Sequence, residues 1–185
     1  DKVRYNTVFA EKLGSSASPT ASLNLTNELL EKIKAKGAKI VYVELKVGWG
    51  TFAPIRTDDV RDHQIHREYI NLSKESAELI NEVIKSGGDV WACGTTVSRT
   101  LETCSIEKDG KYYVKPYEGY TQLYIYPGYD WKIVKHLVTN FHTPKSSLLV
   151  LVASFMGYEL MKETYKTAIE KEYMFLSYGD SMTIL

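Results

Sequence analysis

With 185 residues, 44% hydrophobic and 25% charged, the chain has an ordinary globular composition and enough length to bury a core in one domain. Its 23 basic and 23 acidic side chains cancel, so no global basic field advertises nucleic acid, and any RNA contact must use a local patch or a segment outside this chain. The longest apolar run, Leu148 to Met156, falls far short of the roughly 20 residues that span a bilayer, and the opening Asp-Lys-Val-Arg-Tyr-Asn has no apolar signal core.

In chain order, Thr26 reads as an N-cap, followed by Glu28 in the first turn and by Leu29, Leu30 and Ile33 on one side. Gly37 ends that helix. From Ala38 to Val47 the pattern alternates, with Val41, Val43, Leu45 and Val47 facing one way, and predicts a strand. Tyr69 to Leu72 is a second β-rich patch, and Ser73 caps a helix from Lys74 to about Ser86 with Ala77, Ile80, Val83 and Ile84 as its buried stripe. Gly87-Gly88 stops it. Val90 to Cys93 predicts a short buried strand, Gly94-Thr95-Thr96 the start of another helix, and Asp109-Gly110 a hairpin turn. Tyr120 to Tyr126 reads as a strand closed by Pro127-Gly128. A β-rich run over 133–139 leads through a polar junction into helices at 146–156 and about 158–172.

Helices alternating with strands predict an α/β fold, a mixed sheet flanked by helices in a sandwich-like arrangement, with antiparallel hairpin content around 110–126. Ligands in such folds sit at the carboxyl ends of strands. Cys93 and Cys104 are not at a metal spacing and read as buried reduced thiols, which fits a cytosolic setting. Fourteen tyrosines lie at polar–apolar boundaries, where a phenol packs and hydrogen-bonds together.

Four strand exits gather the polar and glycine residues. In the first, Lys46 to Pro54, Trp49 or Phe52 can wrap a flat ring and the glycines offer backbone amides; a tight turn with packed aromatics explains it equally. In the second, His63 and His66 at i and i+3 can share a metal on a helix with Glu68 as a third ligand, but no second pair stands at metal spacing. Histidines that bind phosphate, orient a substrate or move protons near neutral pH fit better, with a solvated loop as the plain alternative.

The third exit, Gly94 to Glu102, sets hydroxyls at a helix start, a nest of N–H donors for a carboxylate, ribose or phosphate, without the GxxxxGK[ST] spacing of a P-loop. Arg99 and Glu102 share a helix face, where they can simply pair, and an ordinary capped helix accounts for the stretch as well. The fourth, Thr139-Asn140-Phe141-His142-Thr143-Pro144-Lys145-Ser146, packs an amide, an imidazole, an ammonium and a hydroxyl between two apolar elements. Such groups are costly unless they meet partners or a ligand, so function is expected to concentrate here. Further on, Asp180 in the turn Ser177-Tyr178-Gly179-Asp180 can cap, bind ribose hydroxyls or orient an imidazole, or belong to a surface turn.

Taken together these motifs resemble the S-adenosylmethionine:tRNA ribosyltransferase-isomerases of the queuosine pathway. The stretches that carry the resemblance are Tyr5-Asn-Thr-Val-Phe-Ala, Pro19-Thr-Ala, Val47-Gly-Trp-Gly-Thr-Phe, His63-Gln-Ile-His-Arg-Glu, Gly94-Thr-Thr, Arg99-Thr-Leu-Glu, Ile125-Tyr-Pro-Gly-Tyr, Thr139-Asn-Phe-His, Pro144-Lys-Ser and Ser177-Tyr-Gly-Asp. They follow the family's order and cover nearly the whole chain from Arg4 onward. The resemblance implies transfer and isomerisation of the ribosyl moiety of S-adenosylmethionine onto 7-aminomethyl-7-deazaguanine in the anticodon loop of tRNA. The products are epoxyqueuosine, adenine and methionine; S-adenosylmethionine is a co-substrate, and no metal is expected.

Carried over residue by residue, the resemblance implies Thr20, Asn24, Lys46, Gly48, Gly50, Thr51, Gly94, Thr95, Thr96, Arg99 and Glu102 around the donor. It implies His63, His66, Asn140, His142 and Lys145 near the reacting centre or the incoming nucleotide, and Tyr126, Tyr129, Tyr178 and Asp180 as a completing wall. Asn24 and Lys46 each replace a family histidine, and Ser22 replaces a glycine. Asn24 cannot move a proton, and Lys46 can do so only with a strongly lowered pKa. The resemblance also implies that 1–185 is the large catalytic domain without the family's N-terminal part and its small β-barrel domain; the absent initiator methionine likewise leads us to expect a fragment or processed chain, completed by that part or by another chain. The competing readings are a non-catalytic or weakened relative that binds an adenosyl or nucleotide ligand, and a generic α/β domain with no small-molecule site.

Overall fold

Capping side chains set most helix starts. The computed structural model describes residues 7–8, 19–46, 48 and 54–185. Thr26 accepts from the Leu29 amide to open α1 (Asn27–Ala35), and Gly37 lies beyond it at φ +90°. Strands β1 (Glu44–Lys46) and β2 (Glu68–Leu72) follow, then α2 (Lys74–Lys85), whose cap Ser73 accepts from the Ser76 amide. Next come β3 (Trp91–Cys93), α3 (Thr95–Thr103), the hairpin strands β4 (Ser105–Lys108) and β5 (Lys111–Val114), and β6 (Tyr117–Thr121). The chain continues with β7 (His136–Asn140), α4 (Ser147–Met156) capped by Ser146, α5 (Tyr158–Glu170) and β8 (Ser181–Ile184).

The mixed α/β architecture is as expected, but the described strands fall into three sheets rather than one. Sheet one has the order β1-β2-β6 and is antiparallel throughout; sheet two has the order β3-β7-β8, with β3 and β7 parallel and β8 antiparallel. The third is the β4-β5 hairpin, whose turn holds Asp109 at φ +52° and Gly110 at φ +72°. Both central residues at positive φ is the primed turn that the Asp-Gly pair predicts.

Helix α3 packs against β2, β3, β7 and α4, so it joins the two larger sheets. Ile70, Leu72, Leu101, Ile125, Leu137 and Leu151 form the centre of one continuous core around it. Alternation divides sheet two by face: Ala92, Leu137, Thr139, Met182 and Ile184 are buried, whereas Trp91 and Thr183 are exposed. The strand predicted as wholly buried at 90–93 therefore presents Trp91 outward.

Three other expectations change. Only Glu44–Lys46 of the run 38–47 pairs as a strand among the described residues, although Val41, Val43 and Leu45 all pack on the core as their alternation requires. The strand expected at 120–126 ends at Thr121, because the Thr121 hydroxyl accepts from the Leu123 amide and takes a donor that a continuing ladder would use. Strand β8 lies beyond the turn at 177–180, in a stretch assigned no element from sequence.

Candidate functional site

The parallel pair β3–β7 brings two of the polar strand exits together. Cys93 and Val138 are in register, and just past them the Gly94 amide donates to the Val138 carbonyl at 2.8 Å. Gly94 stands at φ +104°, which L side chains rarely adopt, and its Cα faces Ala21, whose Cβ would lie 3.7 Å from an added methyl. Glycine therefore lets the chain turn directly from β3 into Thr95 and Thr96, the first turn of α3.

Asn140, the last residue of β7, is 2% exposed. Its Oδ1 accepts from the Thr20 hydroxyl at 3.2 Å, and its Nδ2 is buried with no partner among the described residues. A buried donor left unpaired costs about 1–3 kcal/mol. Thr20 opens a single 3-10 turn, Thr20–Ser22, which Ser22 closes by donating from both amide and hydroxyl to the Pro19 carbonyl. Asn24 then staples this segment to the far strand: its amide donates to the Ser181 hydroxyl at 2.9 Å and to the Gly179 carbonyl at 3.4 Å. Since Ser181 is paired with Asn140 across β7–β8, Thr20, Asn24, Gly94, Thr95 and Asn140 gather at one end of sheet two.

His142 belongs to the other side. Its Nε2 shares a 2.8 Å hydrogen bond with Thr139 Oγ1, and Thr139 and Asn140, as strand neighbours, point to opposite faces. The His142 backbone amide donates to the Tyr165 hydroxyl at 2.9 Å. Desolvation lowers the imidazole pKa to about 4 and raises that of Tyr165 to about 12. Lys145 is exposed, at φ +57°, with its carbonyl accepting from the Ile55 amide at 2.7 Å.

Arg99 and Glu102 do not pair with each other. Arg99 forms a buried ion pair with Glu68 on β2 and donates from Nε to the Leu123 carbonyl at 3.1 Å, while its Nη2 has no partner among the described residues. Burial lowers the Arg99 pKa, and the Glu68 charge opposes that shift. Glu102 accepts from the backbone amides of Lys132, Ile133 and Val134 at 2.9–3.1 Å and from the Tyr129 hydroxyl at 3.1 Å. One helix therefore fixes two points of the segment 122–134. Burial, reinforced by the Glu102 charge, raises the Tyr129 pKa.

His63 and His66 are not helical: they lie in the extended stretch between a 3-10 turn, Val60–Asp62, and β2. His66 is exposed, whereas the His63 ring meets Tyr124 edge-on at 5.5 Å, and Tyr124 in turn meets Tyr126 at 5.4 Å. Among the described residues no three histidine, cysteine or acidic side chains are grouped as a metal site would need. Lys46 sets its ammonium 4.7 Å from the Tyr69 ring, and Gly48 is half-buried. Tyr178 is exposed. Asp180 tightens its own turn, its carboxylate accepting from the Met174 amide at 2.8 Å. Gly50 and Thr51 lie outside the described residues.

Sequence reasoning missed Glu68 as the partner of Arg99, Ser181 as the anchor of Asn24, and Tyr165 beside His142. Nothing local signals such pairings, each of which joins distant parts of the chain. Tyr124 was legible in principle, since Tyr124-Ile125-Tyr126 alternates and sends both phenols to the face opposite buried Ile125.

Polar loops converging on the carboxyl ends of parallel strands are the arrangement of a ligand-binding α/β protein. The chain belongs to the family of queuosine biosynthesis proteins, whose model matches residues 1–184. It is 50% identical over 184 residues to an S-adenosylmethionine:tRNA ribosyltransferase-isomerase of Chlorobaculum parvum, a match covering all of this chain and 54% of that protein. A second relative with the same description, from Thermoanaerobacter sp., is 48% identical over 185 residues, which is all of this chain and 53% of the relative. The crystal structure of an S-adenosylmethionine tRNA ribosyltransferase from Thermotoga maritima superposes with a TM-score of 0.73 at 39% identity, covering 90% of this chain and 51% of that one. The chain spans about half the length of the proteins it matches.

Proposed function

We propose that this chain is the large catalytic part of a ribosyltransferase-isomerase that moves the ribosyl moiety of S-adenosylmethionine onto 7-aminomethyl-7-deazaguanine in the tRNA anticodon loop. Epoxyqueuosine forms, and adenine and methionine leave. The observation that carries this reading is the unpartnered, buried Asn140 amide at the carboxyl end of β7, beside Thr20, Gly94 and Thr95, in a chain belonging to this family. That set offers a side-chain donor, a hydroxyl and helix-start amides, which suit a ribose or the carboxylate of a methionine zwitterion.

The sulfonium acidifies the neighbouring 5′ hydrogens, so a side-chain base is enough to begin the reaction. His142 is neutral near pH 7, but the burial that lowers its pKa to about 4 also makes it a weak base, and its ring turns to Thr139 rather than to Asn140, so the proton step is not assigned to it. The remaining protein work is orientation and exclusion of water. A reaction on tRNA fits a cytoplasmic setting; among the described residues no helix is long and apolar enough to cross a membrane. With balanced charge, much of the affinity for tRNA phosphates comes from outside these residues.

Asn24 supports a second reading, a binding protein without turnover. Where the family has a histidine, this side chain serves as a structural staple between the 3-10 turn and β8. Calorimetric titration with S-adenosylmethionine, followed by assay of adenine release on addition of tRNA carrying the 7-aminomethyl base, separates the two. Binding with adenine release supports the transferase; binding without it supports the second reading; absence of binding overturns both.

A further inference from the structure

The segment 122–126 carries a feature that the strand-end site does not use. Tyr124 and Tyr126 project from one side of it with ring centroids 5.4 Å apart at 50°, and the His63 ring closes the row at 5.5 Å and 68° to Tyr124. All three rings are half-buried, so each keeps part of its surface in solvent. The Tyr124 hydroxyl is enclosed and, among the described residues, meets no partner, although a buried phenol ordinarily finds one. Burial raises its pKa, with the neighbouring Tyr126 adding to the shift, so it stays a neutral donor and acceptor.

The row is held in place from behind. Arg99 Nε donates to the Leu123 carbonyl, and Glu102 gathers the amides of 132–134, so α3 fixes the chain on both sides of Tyr124 and Tyr126. Thr95, Arg99 and Glu102 lie at i, i+4 and i+7 on one face of that helix. Thr95 at the strand-end site and Arg99 behind the aromatic row are thus separated by about 6 Å along the axis. Helix α3 therefore carries positions that serve both the strand-end site and the segment bearing the aromatic row.

We infer that Tyr124, with Tyr126 and His63, is the stacking wall for a purine-like base, and that Tyr124 sets the affinity for that base. The inference rests on the transferase reading for its choice of ligand. Two bases share this chemistry, the adenine of S-adenosylmethionine and the 7-deazaguanine of the incoming tRNA. Stacking on an aromatic side chain is sequence-tolerant, and its removal weakens binding by about tenfold or more.

The test uses the wild type, Tyr124→Phe and Tyr124→Leu, each checked by thermal melting. Phenylalanine keeps the ring and removes the hydroxyl; leucine removes the flat face. S-adenosylmethionine and an anticodon stem-loop carrying the 7-aminomethyl base are titrated separately, and the His63 and tyrosine ring resonances are followed by NMR during titration with adenosine. The expected result is that Tyr124→Leu weakens one of the two ligands about tenfold, Tyr124→Phe weakens it less, and adenosine shifts the ring signals; the weakened ligand identifies the base. If S-adenosylmethionine and stem-loop bind all three proteins alike and the ring signals stay still, the wall is refuted and the transferase reading survives. Ring shifts with adenosine, in a protein that binds neither ligand, would uphold the wall and refute the transferase reading. No binding and no shifts would refute both.

Discussion

Arg99 of α3 and Glu68 of β2 form an ion pair whose side chains are 4% and 3% exposed, and it joins the helix beside the strand-end site to the antiparallel sheet. A pair this deep is costly to assemble but more costly to break, because removing one partner strands the other charge in the core. Arg99→Met should therefore destabilise the protein by about 3–5 kcal/mol. Replacing both residues, as Arg99→Met with Glu68→Leu, should recover part of that loss. Urea unfolding of the two variants checks it; equal losses in both would mean that the charge pairing is not what matters.

Glu102 should behave as a structural residue. Glu102→Gln keeps the shape but puts an amide NH2 against backbone donors that all need an acceptor. Hydrogen bonds to a charged group contribute about 1.5–3 kcal/mol each, so a loss of about 2–4 kcal/mol is expected. Tyr129→Phe, which removes one of the four donors, should cost about 1.5 kcal/mol, the low end of that range for a half-buried phenol. Both are read from denaturant midpoints at unchanged slope.

His142 predicts an acid limb in the stability curve. Its pKa is about 4 in the folded state against 6.5 as the ordinary value, so between these the unfolded chain binds more protons than the folded one. Stability from this group is complete above about pH 6.5, falls as the pH drops toward 4, and is level below that. The full span is on the order of 3 kcal/mol. His142→Gln should flatten that limb, which melting temperatures between pH 4 and 7 will show; an unchanged limb would assign it to other groups.

Gly179→Ala tests the last turn. A methyl there would lie 2.3 Å from the Met174 carbonyl oxygen, which is backbone and cannot swing aside. The turn must open, with loss of the Asp180 amide bond to Met174 at 2.8 Å and displacement of the Gly179 carbonyl that Asn24 reaches. A loss of about 2–4 kcal/mol is expected, within the range of severe backbone and packing changes. A smaller drop should follow Asn24→Ala, about 1 kcal/mol for the lost amide contacts. Thermal melts of both variants would decide it, and a stable Gly179→Ala would mean the turn has room to rearrange.

Much of the fold was legible because its signals are local. Ser73 and Thr26 cap the helices they precede, Asp109-Gly110 makes the predicted turn, and Ala77 and Ile80 lie buried in the stripe of α2. Strand limits were less legible, since Thr121 ends β6 through its own hydroxyl and β8 exists only by pairing with β7.

The candidate site divides the same way. Which residues are candidates for chemistry is written in the strand-exit motifs, because glycines, hydroxyls and amides gather there. Which of them act together was settled only in three dimensions. Asn140 turned toward Thr20 and His142 toward Thr139, because alternate residues of a strand face opposite ways. Arg99 found Glu68 31 positions away, and Asn24 found Ser181 157 positions away. Charge and hydrogen-bonding capacity belong to a residue alone, whereas desolvation and partner choice belong to the packed chain.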